Sequence, residues 1–184
     1  MRRLWAASAA IVMCLAISGM PVAAQEESPT AASPVIVTGT EVCGDRTGGT
    51  STYPGGVISD RGWVGECVNT MSDPRVDGTY VNTLNMDCYP SGMCLLWGTH
   101  VLDGPEGGWD CSWAGAFYPN DLGGFMVSSV CPGTGGFEGL TYVFQHGNAS
   151  FEGGSPFGDD NSFDGVIYEG PAPTVFATQS EAGK

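Results

Sequence analysis

The chain is poor in positive charge, in histidine and in helix-compatible sequence. It has 184 residues, six Lys and Arg against 20 Asp and Glu, a net charge of −14, and two histidines. So negative a field repels phosphate backbones and anionic lipid, which excludes nucleic-acid and membrane-surface binding as expectations. No Gly-x-Ser-x-Gly elbow accompanies His100 and His146, so a Ser–His hydrolase has no foothold. No Cys-x2-Cys pair marks a zinc site, and no nucleotide loop, phosphate cradle or cofactor motif is found. No cofactor is expected. No stretch keeps a 3.6-residue apolar period for three turns, and the 29 Gly recur too often for helix interiors, where each costs about 1 kcal/mol relative to Ala.

One apolar run does occur, over residues 4–20 behind Arg2 and Arg3. Val22-Ala23-Ala24 then supplies the small residues that signal peptidase requires, so residues 1–24 read as an export signal cleaved after Ala24. The run is too short and too rich in small residues for a membrane span, so the expectation is a secreted, periplasmic or extracellular protein without membrane insertion. After cleavage four basic side chains (Arg46, Arg61, Arg75 and Lys184) face 20 acids, a net charge of −16. Residues 25–34 (QEESPTAASP) and 171–184 read as flexible flanks of a single β domain over residues 35–170.

Within that domain the period is two. In Trp109-Asp110-Cys111-Ser112-Trp113-Ala114-Gly115-Ala116-Phe117 one parity carries Trp, Cys, Trp and Phe and the other Asp, Ser and Ala, as a half-buried strand requires. Similar alternation over residues 35–43, 57–71, 79–88, 93–102, 125–131, 137–146 and 163–169 predicts about eight strands. The gaps are short and rich in Gly, Pro, Asn and Asp, which favours an antiparallel meander, because parallel strands need crossovers of about a dozen residues or more. The expected fold is all-β, a small closed barrel or else a sandwich.

Six cysteines remain after cleavage, and an even number in an exported chain reads as three disulfides. Residues directly opposite across a hairpin have a constant sum of residue numbers. Cys111 and Cys131 centre on residue 121 in the turn Pro119-Asn120-Asp121, a register that also faces Phe117 with Phe125. Cys88 and Cys94 centre on Ser91 in the turn Pro90-Ser91-Gly92. Cys43 and Cys67 remain, centred on Gly55 in the longest Gly-rich loop, so the predicted pairs are 43–67, 88–94 and 111–131.

The segment Cys131-Pro132-Gly133-Thr134-Gly135-Gly136-Phe137-Glu138-Gly139-Leu140 resembles the Gly-Thr-Gly-aromatic-x-Gly turn of the dirigent and allene oxide cyclase-like barrels. That resemblance implies an exported, closed eight-stranded antiparallel barrel with an apolar pocket at one mouth, and often an oligomer. Its activities, cyclisation and the steering of phenolic radical coupling, have no matching pocket residue here.

Candidate chemistry is sparse. His146 follows Leu140, Tyr142 and Phe144 on one strand parity and is the candidate general base, although a strand-end histidine facing water or satisfied by a backbone carbonyl is the plainer expectation. His100, on the parity of Leu96 and Leu102, is read likewise. The in-strand carboxylates Glu66, Asp87, Glu138 and Asp164 are expected to point outward. Asp160-x-Ser162-x-Asp164-Gly165, beside Asp159, matches the first half of a calcium loop, but Pro171 stands where the bidentate Glu belongs, so an acidic turn is expected and no metal. Trp97, Trp109, Trp113, Tyr142 and Phe144 are the candidate ligand-lining residues. The functional expectation is a non-enzymatic binding or structural barrel for a small apolar or aromatic ligand, with oligomerisation left open. The alternatives are a cyclase- or isomerase-like enzyme using a His or carboxylate, and an adhesive or envelope-associated protein with an exposed aromatic patch.

Overall fold

A computed structural model describes residues 32–118, 124–148 and 161–173. The chain divides into residues 1–30, outside the described set, and a unit over Ala31–Lys184. Among the described residues that unit is one antiparallel sheet of nine strands: β1 (Val35–Cys43), β2 (Thr50–Thr52), β3 (Ile58–Met71), β4 (Gly78–Cys88), β5 (Cys94–Asp103), β6 (Gly107–Phe117), β7 (Phe125–Gly135), β8 (Leu140–Asn148) and β9 (Asn161–Glu169). Each strand from β3 to β9 pairs with the next. The ring closes because β1 pairs with β9 on one side, Val35 opposite Ile167, and with β3 on the other, Gly39 opposite Met71. Eight strands therefore form the closed barrel, as expected.

The ninth strand, β2, is the one the alternation does not reveal. It continues the line of β1 along β3: the Cys43–Cys67 pairing passes to a Thr47–Val64 bridge and then to Thr50 opposite Arg61. A turn at Pro54–Gly56, with Gly55 at φ 60°, then reverses the chain into β3. Among the described residues this 3₁₀ turn is the one helical element, and no helix is long and apolar enough to cross a membrane. β7 runs on to Gly135 and β8 begins at Leu140, so Phe137 lies in the connection and not at a strand start.

The three disulfides are Cys43–Cys67, Cys88–Cys94 and Cys111–Cys131, each joining neighbouring strands with Cα atoms 4.0 Å apart. The flanking registers, Ser112 opposite Val130 and Phe117 opposite Phe125, hold the same sum as Cys111 and Cys131.

Interior positions alternate as the pleat demands. They form two apolar clusters, one around Trp109, Phe137, Val76, Leu102 and Ile167, the other around Leu84, Leu96, Trp113, Phe125 and Val127. Burying each large side chain contributes about 1.5–3 kcal/mol relative to exposure. Trp109 stacks on Phe137 at 5.3 Å between ring centres, and its indole Nε1 donates to the Arg75 carbonyl at 2.7 Å. Gly165 makes room for two aromatic side chains, since a Cβ there would stand 2.7 Å from both the Tyr142 ring and the Phe144 Cβ.

Candidate functional site

Among these apolar side chains lies a set of buried polar ones: Glu41 and Asn69 from β1 and β3, Asn82 from β4, His100 from β5, Ser129 from β7 and His146 from β8. Each holds an inward position because its parity matches that of apolar neighbours on the same strand, Val37 for Glu41, Leu96 for His100, Phe144 for His146. The register runs Asn82 opposite His100, His100 opposite Cys111, and Val127 opposite His146, so the polar groups form a belt inside the ring.

Apart from Asn69, the belt lines a cavity of about 30 Å³ together with Arg46, Tyr80, Trp113, Phe125, Val127 and Phe144. A space of that size takes two or three water molecules or a few heavy atoms of a ligand. Apart from the Arg46 guanidinium, four buried polar atoms of its walls make no hydrogen bond: Glu41 Oε2, Asn82 Oδ1, Trp113 Nε1 and His146 Nε2. Leaving each unsatisfied costs about 1–3 kcal/mol, so their convergence on one space is the feature that calls for an occupant.

Glu41 and His146 are the centre of the electrostatics. Glu41 Oε1 is 3.5 Å from His146 Nε2, close enough for charge interaction and too long for a good hydrogen bond. Burial pushes the Glu41 carboxyl up to about 7, against the opposing pull of the Arg46 guanidinium. Burial likewise holds His146 down at about 3, with His100 as a second repulsive influence, and holds His100 down at about 3. Arg46 is itself lowered by burial, with Glu41 acting the other way. Both histidines are thus neutral at pH 7, and Glu41 exchanges its proton there.

The histidine expectation is corrected on exposure: neither faces water. His146 stacks on Phe163 at 4.2 Å and meets the edge of Phe125 at 5.1 Å. His100 lies 4.6 Å from the Tyr80 ring, with Nε2 3.9 Å from Cys131 Sγ. Of the expected lining residues, Trp113 and Phe144 border the cavity. Trp109 and Tyr142 fill the core instead. Trp97 stands on the outer face, because inward positions of β5 are the even ones, and the Arg61 guanidinium covers its ring at 4.7 Å. The interior is accordingly too well filled for an aromatic ligand to be enclosed whole.

Glu66, Glu138 and Asp164 are exposed, as expected, and Asp87 pairs with Arg61 at 2.7 Å. Asp159 and Asp160 lie outside the described residues, and Asp164 sits in β9 opposite Thr38 and Gln145. Two donor groups have metal-like spacing, His100 with Cys111 and Cys131, and Glu41 with Cys43 and Cys67, ligand atoms within 4.8 Å of one another. Their cysteines are joined as disulfides and offer no thiolate. Glu41 is the site residue that the sequence reading missed. Its signal was its place two residues before Cys43 and four after Val37, on one strand parity.

Fold and site together define a closed, disulfide-linked antiparallel barrel with a polar belt inside it. No family model matches the chain, and neither the curated proteins nor the solved structures hold a match to it.

Proposed function

We propose that this chain is an exported, non-enzymatic binding barrel that takes the polar head of a small molecule at the belt, with the apolar body against Trp113, Phe125, Val127 and Phe144. The supporting observation is the convergence of four unsatisfied buried polar atoms on one cavity whose remaining wall is largely aromatic. Three disulfides accord with an oxidising location. The ring of eight strands is also the architecture that the resemblance of the 131–140 segment implies. A belt that admits only a head group replaces the expectation of an enclosed apolar ligand. Native mass spectrometry of the mature protein from its host's secretion tests the reading: a retained small-molecule mass, lost in Asn82→Leu and His146→Phe, is the expected result. A bare chain that also shows no binding to a panel of small polar molecules would overturn it.

A second reading, acid–base catalysis on a small substrate, is favoured by the Glu41–His146 pair, a carboxyl near neutrality beside a neutral imidazole. It predicts exchange of a substrate C–H for deuterium in D₂O, abolished by Glu41→Gln. The adhesive reading has less to stand on, since the four described tryptophans are buried or half-buried.

A further inference from the structure

We infer that the head group taken up at the belt is a neutral primary carboxamide, which accepts a hydrogen bond from Trp113 Nε1 and donates to Asn82 Oδ1 and Glu41 Oε2. The inference rests on the binding reading above and adds the chemical class of the head group.

The hydrogen-bond count is the first argument. Trp113 Nε1 can only donate, and it is buried without an acceptor. Asn82 Oδ1 can only accept, and it is buried without a donor, while Nδ2 of the same amide is turned to Cys67 Sγ at 4.0 Å. Glu41 Oε2 accepts in either protonation state. With the proton on Glu41, the hydroxyl faces His146 Nε2 across their 3.5 Å contact and Oε2 is a carbonyl oxygen; without it, both oxygens accept. His146 Nε2 is thus turned to Glu41, which leaves one donor and two acceptors for a ligand. A primary carboxamide carries the complement, one carbonyl oxygen and two N–H bonds in a rigid plane. A hydroxyl has a single hydrogen and leaves one buried acceptor bare, at about 1–3 kcal/mol.

Charge is the second. Glu41 and Arg46 interact as opposite charges, each working against the effect of burial on the other, so the guanidinium is already engaged. The two histidines are neutral at pH 7. An ionised head group would enter a desolvated space with no counter-charge left for it. A carboxylate would also bring no hydrogen for Asn82 or Glu41, and an ammonium no acceptor for Trp113. Size agrees, since a cavity of about 30 Å³ admits the planar head and leaves an apolar body against Phe125, Val127 and Phe144.

The experiment is a titration of the ¹⁵N-labelled mature protein, at pH 7, with propionamide, propionate, 1-butanol and butylamine, probes of one size. The mature chain holds four tryptophans, so the indole N–H signals are few, and Trp113→Phe identifies the one that matters. Propionamide is expected to shift that signal saturably and to bind at least about tenfold more tightly than propionate or butanol, the effect of a buried acceptor left unpaired, with butylamine silent. Asn82→Leu, checked for folding by its near-ultraviolet dichroism, should remove the amide's advantage over butanol. Propionate or butanol binding as tightly as propionamide would overturn the carboxamide assignment and leave the binding reading standing, as would a propionamide shift that spares Trp113. Silence of all four probes would overturn the assignment, and with no ligand carried by the native protein it would overturn the binding reading too. Affinities are compared on the wild-type protein, so that comparison needs no variant to fold.

Discussion

His146 Nε2 on β8 lies 3.5 Å from Glu41 Oε1 on β1, although β9 runs between those two strands in the sheet. The contact crosses the barrel interior, past Phe163 of β9, whose ring stacks on the imidazole.

Burial of the groups around that contact couples stability to pH in two opposing senses. Glu41 rises from 4.5 to about 7 on folding, so the folded state holds the proton more tightly and stability falls as pH rises through that window, by on the order of 3 kcal/mol in all. His146 and His100 fall from 6.5 to about 3, so their contribution is present above 6.5 and lost as pH falls toward 3. Two histidines outweigh one carboxyl below 6.5. The melting temperature should therefore peak near pH 6.5–7, and Glu41→Gln should remove the decline on the alkaline side. A melting curve that keeps this decline in the variant would locate it elsewhere.

The disulfides should differ in weight according to the loops they close. Cys43–Cys67 spans 24 residues and Cys88–Cys94 six. Replacing the first pair by alanines is expected to cost about 3–4 kcal/mol and the second about 2 kcal/mol, read from urea unfolding. Equal costs would show that native-state packing, and not loop closure, sets their value.

Gly98 on β5 should tolerate no side chain. A Cβ there would stand 1.8 Å from the Thr83 carbonyl and 2.7 Å from the Trp113 ring. Gly98→Ala is expected to lower stability by about 1–3 kcal/mol, with the exposed neighbour change Thr99→Ala within about 0.5 kcal/mol of wild type. Thermal unfolding of the two variants side by side checks this.

Of the three tryptophans expected at the ligand, the two that do not border the cavity should separate cleanly. Trp109→Phe gives up the bond to the Arg75 carbonyl and leaves that carbonyl short of a partner, a loss of about 1–3 kcal/mol. Trp97→Phe on the outer face gives up mainly part of the Arg61 contact and should cost about 1 kcal/mol or less. Denaturant midpoints at constant slope would report both.

How much of this was legible in the sequence follows from distance along the chain. The Cys111–Cys131 and Cys88–Cys94 registers could be read because a short turn makes the sum of opposite residue numbers constant. The Cys43–Cys67 pair is reached although the register slips by one residue between β1 and β2, from a sum of 110 at the disulfide to 111 at Thr47–Val64 and Thr50–Arg61, because the intervening segment stays against β3. The β1–β9 seam had no such signal, since no turn joins those strands. β2 shows no alternation because all three of its residues are exposed. Trp97 lies on the odd, outward parity of β5, and the Arg61 that covers its ring there is distant in sequence, so a large apolar side chain did not mark the interior. Glu41 was passed over among 20 acids, although Val37 and Cys43 already pointed its parity inward.

The closing seam sets an order of events in synthesis. β1 is the first strand of the domain and β9, its neighbour, the last. Until β9 emerges, the hairpin neighbours can pair, but the ring stays open and the belt stays wet. Contacts so far apart in sequence slow folding. A chain that emerges from its amino end thus cannot complete its interior before nearly the whole domain has emerged. Closure of the site is therefore a late step, and the Cys43–Cys67 bond is the fastening that can keep β1 beside β3 during the wait.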